Sequence, residues 1–333
     1  MPTAFLTGGT GFVGGHVARA LVASGWTVRL LARDPSRAQT GLLEGLRVEV
    51  VPGDLTDRGL AAVPLAGVDA IVHVAGLTKA RSLDEYRAVN ARGTESLVSA
   101  GRRVSPKALF VLVSSQAAAG PAVGGRPVAE TDAAHPTSWY GRSKREGEES
   151  VESGWPGPWH VIRPGVVYGP FDRALLVYFR MAARGWVPVP SPGTRIQLVG
   201  GERAGLAIAR AASRPDLAGR RSFLCDPEPV TVGGLAKAIA SGARRKTRLI
   251  SVPGPVVRAL GYVESAREAV TGRSRPFNAD KAREILAGDW LCEGKTLPAA
   301  LGLPDPVSLS RGLQATWEWY FAAGWLTRPG KGL

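Results

Sequence analysis

The chain has 333 residues, 44% hydrophobic and 21% charged, with 42 glycines and 25 prolines. This excludes a disordered, fibrous or disulfide-stapled protein and leaves room for one large α/β domain with a smaller appended lobe. The formal net charge is +14, but the 42 cationic residues, only eight of them lysine, form no block and no aromatic-interleaved stripe, so nucleic-acid binding is not expected and the charge reads as composition.

No apolar run approaches 18 residues, so no membrane span is expected. The start of the chain has neither the basic flank nor the apolar stretch of a signal peptide, and a cytoplasmic protein is expected. Cys225 and Cys292 read as two buried thiols, and no metal site is foreseen.

Short β-branched runs alternate with helical stretches through the first half, the pattern of a parallel sheet with crossover helices. Strands are predicted over 4–7, 27–31, 48–51, 70–74, 109–113 and 160–163, with helices over 14–24, 83–102 and 138–152. The Gly/Pro-rich stretch 120–127 reads as a loop over the carboxyl ends of the strands. Beyond residue 163 the spacing predicts helices over 175–184 and 205–212, a loop over 188–193 and a strand over 221–225. Further helices are predicted over 233–241, 255–271, 279–287 and 309–324. The expected division is a nucleotide-binding part over 1–170 and a mainly substrate-binding lobe over 171–333, with segments around 195–230 returning to the first part.

Directly after the first strand, Thr7-Gly8-Gly9-Thr10-Gly11-Phe12-Val13-Gly14 fits both G-x-G-x-x-G and G-x-x-G-x-x-G. Glycine there permits a tight turn, close approach of backbone to a pyrophosphate, and packing of helix on strand. The following helix then offers free N–H groups to the phosphates. The fold class expected is therefore α/β, a Rossmann-type doubly wound parallel sheet with a smaller C-terminal substrate-binding lobe. At the end of the second strand, Ala32 stands where an acid would bind a ribose 2′-hydroxyl, followed by Arg33 and, nearby, Arg37. These favour a 2′-phosphate, hence NADP(H) over NAD(H), although Asp34 keeps the alternative open. Asp54, next to Leu55, is read either as an adenine contact or as a helix cap.

Tyr140 and Lys144 lie four apart on a predicted helix and share one face, and Ser115 closes the fifth strand. A phenol is a poor base at neutral pH, so a nearby ammonium is expected to help it exchange a proton with a carbonyl or carbinol oxygen that a serine hydroxyl orients. His73 is read as a satisfied structural histidine, and Asn90 as a residue that fixes helix-to-strand backbone contacts.

Together these residues resemble the extended short-chain dehydrogenase/reductase superfamily, which includes the NAD-dependent epimerase/dehydratases, the dihydroflavonol-reductase-like enzymes and the 3β-hydroxysteroid-dehydrogenase-like enzymes. The resemblance spans nearly the whole chain. It implies that Ser115, Tyr140 and Lys144 are catalytic and that residues 7–14, Asp54 with Leu55, Val74, Ala75, Gly76, Pro164 and Val166 meet the cofactor. Asn90 with Gly93 and Thr94 matches the mid-domain motif of that group, and residues 301–326 its closing helix. One departure stands out: Val199-Gly200-Gly201-Glu202-Arg203 occupies the place of a His-Val-Asp-Asp-like motif, which leaves the substrate open. Trp139, residues 120–127 and residues 171–189 are expected to line its pocket. Three readings follow: an NADP(H)-dependent oxidoreductase of a secondary alcohol or ketone, a nucleotide-sugar epimerase or dehydratase that retains its cofactor, or a non-catalytic cofactor-binding scaffold. The partners expected are a small-molecule substrate, with a second copy in a homodimer left open.

Overall fold

A computed structural model describes residues 1–56, 63–243 and 245–327; the last residues of the predicted lobe fall outside them. In chain order the first half comprises β1 (Thr3–Thr7), α1 (Phe12–Ala23), β2 (Thr27–Ala32), β3 (Glu49–Pro52), β4 (Ala70–His73), α2 (Leu83–Arg87), α3 (Gly93–Val104), β5 (Leu109–Val113), α4 (Gln116–Ala119), α5 (Trp139–Gly154) and β6 (Trp159–Pro164). There follow β7 (Val166–Tyr168), α6 (Leu176–Ala183), β8 (Trp186–Pro190), β9 (Arg195–Ile196), β10 (Leu198–Gly200), α7 (Gly201–Ala211), β11 (Arg220–Leu224), β12 (Val230–Thr231) and α8 (Val232–Ser241). The chain closes with β13 (Arg248–Val252), α9 (Gly254–Thr271), α10 (Ala279–Ile285), α11 (Thr296–Ala300) and α12 (Leu309–Ala322).

Seven strands form one parallel sheet in the order β11-β6-β5-β4-β1-β2-β3. The strands are apolar almost throughout because both faces are covered. Ala4 and Leu6 of β1 pack with Val17 and Leu21 of α1 and Ile208 of α7 on one face. Phe5 points the other way, into a layer with Leu97 of α3 and Val151 of α5. This is the doubly wound Rossmann arrangement expected. From β1 the chain winds outward to β3 and then crosses to β4, so the order reverses between β1 and β4, where Thr7 pairs with His73. Ligand crevices of such sheets open at that point. β11, from the second half, is the strand predicted over 221–225, and it extends the sheet beside β6.

A separate core lies in the C-terminal half: Phe179 of α6, Val187 of β8, Ile239 of α8, and Leu313, Trp317 and Tyr320 of α12. Trp317 Nε1 donates to the Ile239 carbonyl at 2.9 Å and Tyr320 Oη to that of Asp172 at 2.5 Å, so the polar tips of these buried rings are satisfied. Cys225 and Cys292 are both buried free thiols, with their sulfurs 3.0 Å apart.

Two expectations need correcting. The single helix predicted over 83–102 is two helices joined by a π-helical turn, Ala88–Arg92. Within that turn the Asn90 side chain binds the loop after β4. Residues 188–190 are strand rather than loop. Pro188 and Pro190 are tolerated in β8 because, among the described residues, it pairs with β13 alone, so its other edge needs no N–H donors.

Candidate active site

The loop from β1 to α1 is built on Gly8, whose φ of +73° is left-handed and whose backbone lies so near Ala75 that a Cβ would meet its nitrogen at 2.5 Å. Gly14 presses equally hard on the Gly8 carbonyl, and Gly11 N donates to that same oxygen at 3.0 Å. The tight path brings Gly9, Thr10, Gly11, Phe12 and Val13 to the start of α1. Gly11 is its N-cap, no side chain caps it, and the first turn carries no acid. A 12-residue helix with an open, positive N-terminus at the switch point of the sheet fits a pyrophosphate.

At the end of β2, Asp34 is occupied locally: its Oδ1 accepts from Ser36 N at 3.1 Å and from Ser36 Oγ at 2.6 Å. Arg33 projects into solvent, 76% exposed, with Nη1 4.0 Å from Asp54 Oδ2. Arg37 is exposed on the turn that follows. Asp54 Oδ1 also accepts from Thr56 N at 3.0 Å, and Leu55 is buried beside it.

His73 is buried between Thr7 and Thr94, with Thr7 Oγ1 2.6 Å from Nδ1 and Thr94 Oγ1 2.9 Å from Nε2. The direction of these bonds follows from their neighbours. Thr94 Oγ1 donates to the Asn90 carbonyl, so it must accept from Nε2–H, which leaves Nδ1 to accept from Thr7. Thr7 Oγ1 in turn accepts from Ala75 N at 3.2 Å. Burial, and then the charge of Lys144, lower the His73 pKa to about 3, which keeps the ring neutral as this chain requires. The structural role read for His73 holds, and it fixes Val74, Ala75 and Gly76 at the switch point. Asn90 does the same one residue further on: Oδ1 accepts from Leu77 N at 2.7 Å while Nδ2 donates to the Leu77 carbonyl at 3.0 Å. Its amide also donates to Ser143 Oγ, tying the loop to α5.

Ser138 caps α5, accepting from Gly141 N at 3.0 Å, and so starts the helix that carries Tyr140 and Lys144 one turn apart. Of the two serines that close β5, Ser114 is committed to Glu148 Oε1 at 2.5 Å, whereas Ser115 caps α4 and lies within reach of the Tyr140 hydroxyl. Burial raises the Tyr140 pKa; Ser115 and the charge of Lys281 oppose the rise, and Glu284 adds to it. Tyr140 is therefore protonated at neutral pH. Lys144 is buried, donates to the Val113 carbonyl at 2.7 Å, and has its pKa lowered to about 8 by burial against a smaller opposing effect of Glu148. Tyr86 flanks Tyr140 with ring centres 6.0 Å apart. Pro164 ends β6 and Val166 opens β7, held by its N–H to the Gln197 carbonyl at 3.1 Å.

Sequence reasoning missed the contribution of α10. Both carboxylate oxygens of Asp280 accept from Trp139 N, at 2.9 and 3.0 Å, and dock α10 on the start of α5. That places Lys281, hydrogen-bonded to Glu284, where its charge acts on Tyr140 and on Tyr178 of α6. It also missed the buried Arg163–Glu148 pair behind Lys144, whose only sequence signal is the four-residue step from Lys144 to Glu148.

Residues 4–196 match the model of the NAD dependent epimerase/dehydratase family. The chain belongs to that family. It is an NAD(P)-dependent enzyme of the extended short-chain dehydrogenase/reductase type, as the motifs imply. Among similar proteins is the ceramide reductase of Caulobacter vibrioides, 35% identical over 326 residues, covering 97% of this chain and 96% of that one. The 3 beta-hydroxysteroid dehydrogenase/Delta 5-->4-isomerase of Mycobacterium tuberculosis is 30% identical, covering 76% and 72%. The family fold is shared with the dTDP-glucose 4,6-dehydratase of Streptomyces venezuelae solved with NAD, at a TM-score of 0.76 and 21% identity, covering 98% and 99%.

Proposed function

We propose that this epimerase/dehydratase-family enzyme is an NADP(H)-dependent reductase of a ketone on a long-chain, ceramide-like lipid. One observation carries the chemistry: Ser115 stands beside a Tyr140 hydroxyl that burial keeps protonated, and a ketone reduction needs a proton donor there. Ser115 and Tyr140 hold the carbonyl oxygen, and Tyr140 gives it the proton. When bound, NADPH supplies the hydride. The phenolate left behind regains a proton from water, and Lys144 stabilises it and holds the nicotinamide ribose.

Gly8, Gly9, Thr10, Gly11, Phe12 and Val13 would take the pyrophosphate, and Asp54 with Leu55 the adenine. Arg33 and Arg37 would take a 2′-phosphate, a reading supported by the absence of an acid at Ala32 and by the local engagement of Asp34. Val74, Ala75, Gly76, Pro164 and Val166 would line the nicotinamide side. The division of labour proposed is nucleotide binding over 1–170 and substrate binding mainly over 171–333, with the 195–230 segments returning to the sheet. The substrate class is supported by the ceramide reductase, which aligns with nearly all of this chain.

The test is NADPH consumption with an N-acyl long-chain amino ketone, read by absorbance and by mass spectrometry of the product alcohol. Tyr140→Phe is expected to lower kcat by about 100- to 10,000-fold while cofactor binding is kept. Near-normal turnover by that variant sinks the assignment. Isomerised product with no net NADPH consumption would replace it with an epimerase.

A further inference from the structure

α9 is amphipathic in the wrong direction for an ordinary surface helix. Val257, Gly261 and Glu268 face inward, and Gly261 lies against Ala279 and Ala282 of α10. On the opposite side Val256, Leu260, Val263 and Val270 are 45%, 51%, 48% and 87% exposed. At 3.6 residues per turn these positions, with Ala259 and Ala266 between them, form one apolar stripe along the solvent face, interrupted by Arg267, which is paired with Glu264. Leu249 and Ile250 of β13, joined to α9 through Pro253, are exposed as well. A run of this extent marks an interaction site rather than scattered surface leucines and valines.

The charge around the stripe narrows the partner. Between residues 245 and 275 the chain carries seven Arg or Lys and only two acids. Glu268 is buried, where it accepts from Arg275 N and Asn278, and Glu264 is paired with Arg267 and Arg275. The solvent therefore meets apolar side chains flanked by cations. Two copies of such a face would repel each other, whereas an anionic lipid surface complements both features.

We propose that the exposed stripe of α9, with its cationic flanks, docks this protein on the surface of an anionic lipid bilayer, the helix lying in the plane of the headgroups. The docked helix packs on α10, and α10 in turn carries Asp280 and Lys281 against Trp139 and Tyr140. A lipophilic substrate would thus leave the bilayer one helix away from the candidate active site. The proposal stands apart from the reductase reading, because vesicle binding requires neither substrate nor turnover.

The full chain is floated with vesicles of phosphatidylcholine alone and of phosphatidylcholine mixed with phosphatidylglycerol, at low and high salt. Binding to the mixed vesicles is expected to be at least about tenfold stronger and to weaken with salt. Leu260→Glu/Val263→Glu is expected to reduce binding by about tenfold or more with Tm unchanged. Arg258→Glu/Arg273→Glu, a second variant that spares the apolar stripe, is expected to abolish the preference for phosphatidylglycerol. Equal binding by wild type and both variants, or no binding by any, overturns the proposal. So does a wild-type dimer that sedimentation shows to be dissociated by Leu260→Glu/Val263→Glu, which would assign the face to a second copy.

Discussion

Arg163 grips Glu148 with two nitrogens, Nε to Oε1 at 2.9 Å and Nη2 to Oε2 at 2.6 Å, and neither side chain reaches solvent. Arg163 comes from β6 and Glu148 from α5, one turn beyond Lys144, so the pair fastens the site helix to the sheet. Burial alone would raise the carboxyl pKa, but Arg163, Ser114 and Arg145 outweigh it and hold Glu148 ionised. Removing one partner strands a buried charge, at a cost of about 3–5 kcal/mol. Arg163→Met is therefore expected to lose that much in urea denaturation, and Arg163→Met/Glu148→Leu to lose far less than the two single changes combined. A single-variant loss below about 1 kcal/mol would contradict this account.

Acid is expected to unfold the protein through its histidines. Burial lowers the pKa of His73 to about 3 and those of His16 and His160 to about 4. In the unfolded chain these groups take up protons near pH 6.5, and the folded chain refuses them until much lower pH. Stability is then fully present above about pH 6.5 and falls as pH drops, by about 1.4 kcal/mol per unit for each histidine at most. Tm measured from about pH 8 to pH 5 should be level at first and then decline. A Tm that stays level down to pH 5 would show that these rings are not held neutral.

The parts of the site that were legible in the sequence are those written within one short segment. The glycine loop occupies eight consecutive residues, and the step from Tyr140 to Lys144 is one helical turn, so local geometry alone brings each set together. The parallel sheet with its crossover helices followed from the alternation of apolar runs with helical stretches, whereas the order of its strands was not written there. What local pattern could not carry is pairing at long range. Asp280 meets Trp139 across 141 positions, and with it Lys281 enters the site from a helix whose own periodicity says only that one face is buried. β8 was hidden for another reason, since Pro188 and Pro190 read as loop residues until the edge position of the strand is known. The π-helical turn at Ala88–Arg92 likewise goes unrecorded by any helical pattern, although Asn90 within it binds the Leu77 backbone.

Cofactor choice is expected to reside in Arg33 and Arg37. Both are exposed at the end of β2, and the acid nearby is turned to Ser36. Arg33→Ala/Arg37→Ala should weaken NADPH binding by about ten- to hundredfold, the worth of one or two charged hydrogen bonds to a phosphate, and leave NADH binding unchanged. Fluorescence titration with each cofactor measures both. Equal weakening of the two would place these arginines elsewhere than at a 2′-phosphate.

Lys281 is expected to tune the proton donor from outside the Ser115–Tyr140–Lys144 set. Lys281 is 47% exposed; its partial burial works to strip it of its proton, but Glu284 outweighs that and keeps it charged. Its charge pulls the Tyr140 pKa down while Glu284 pushes it up. In Lys281→Met only the upward push remains, so the Tyr140 pKa rises further. Ketone reduction needs the protonated phenol and fails as pH climbs through that pKa; its alkaline limb should therefore move to higher pH. Alcohol oxidation needs the phenolate, so at a fixed, mildly alkaline pH it should slow, by about tenfold if the full charge effect is lost. Lys281→Arg restores the cation and should restore the wild-type pH profile. A merely structural role would lower activity at every pH without moving either limb, and that outcome would remove Lys281 from the proton chemistry.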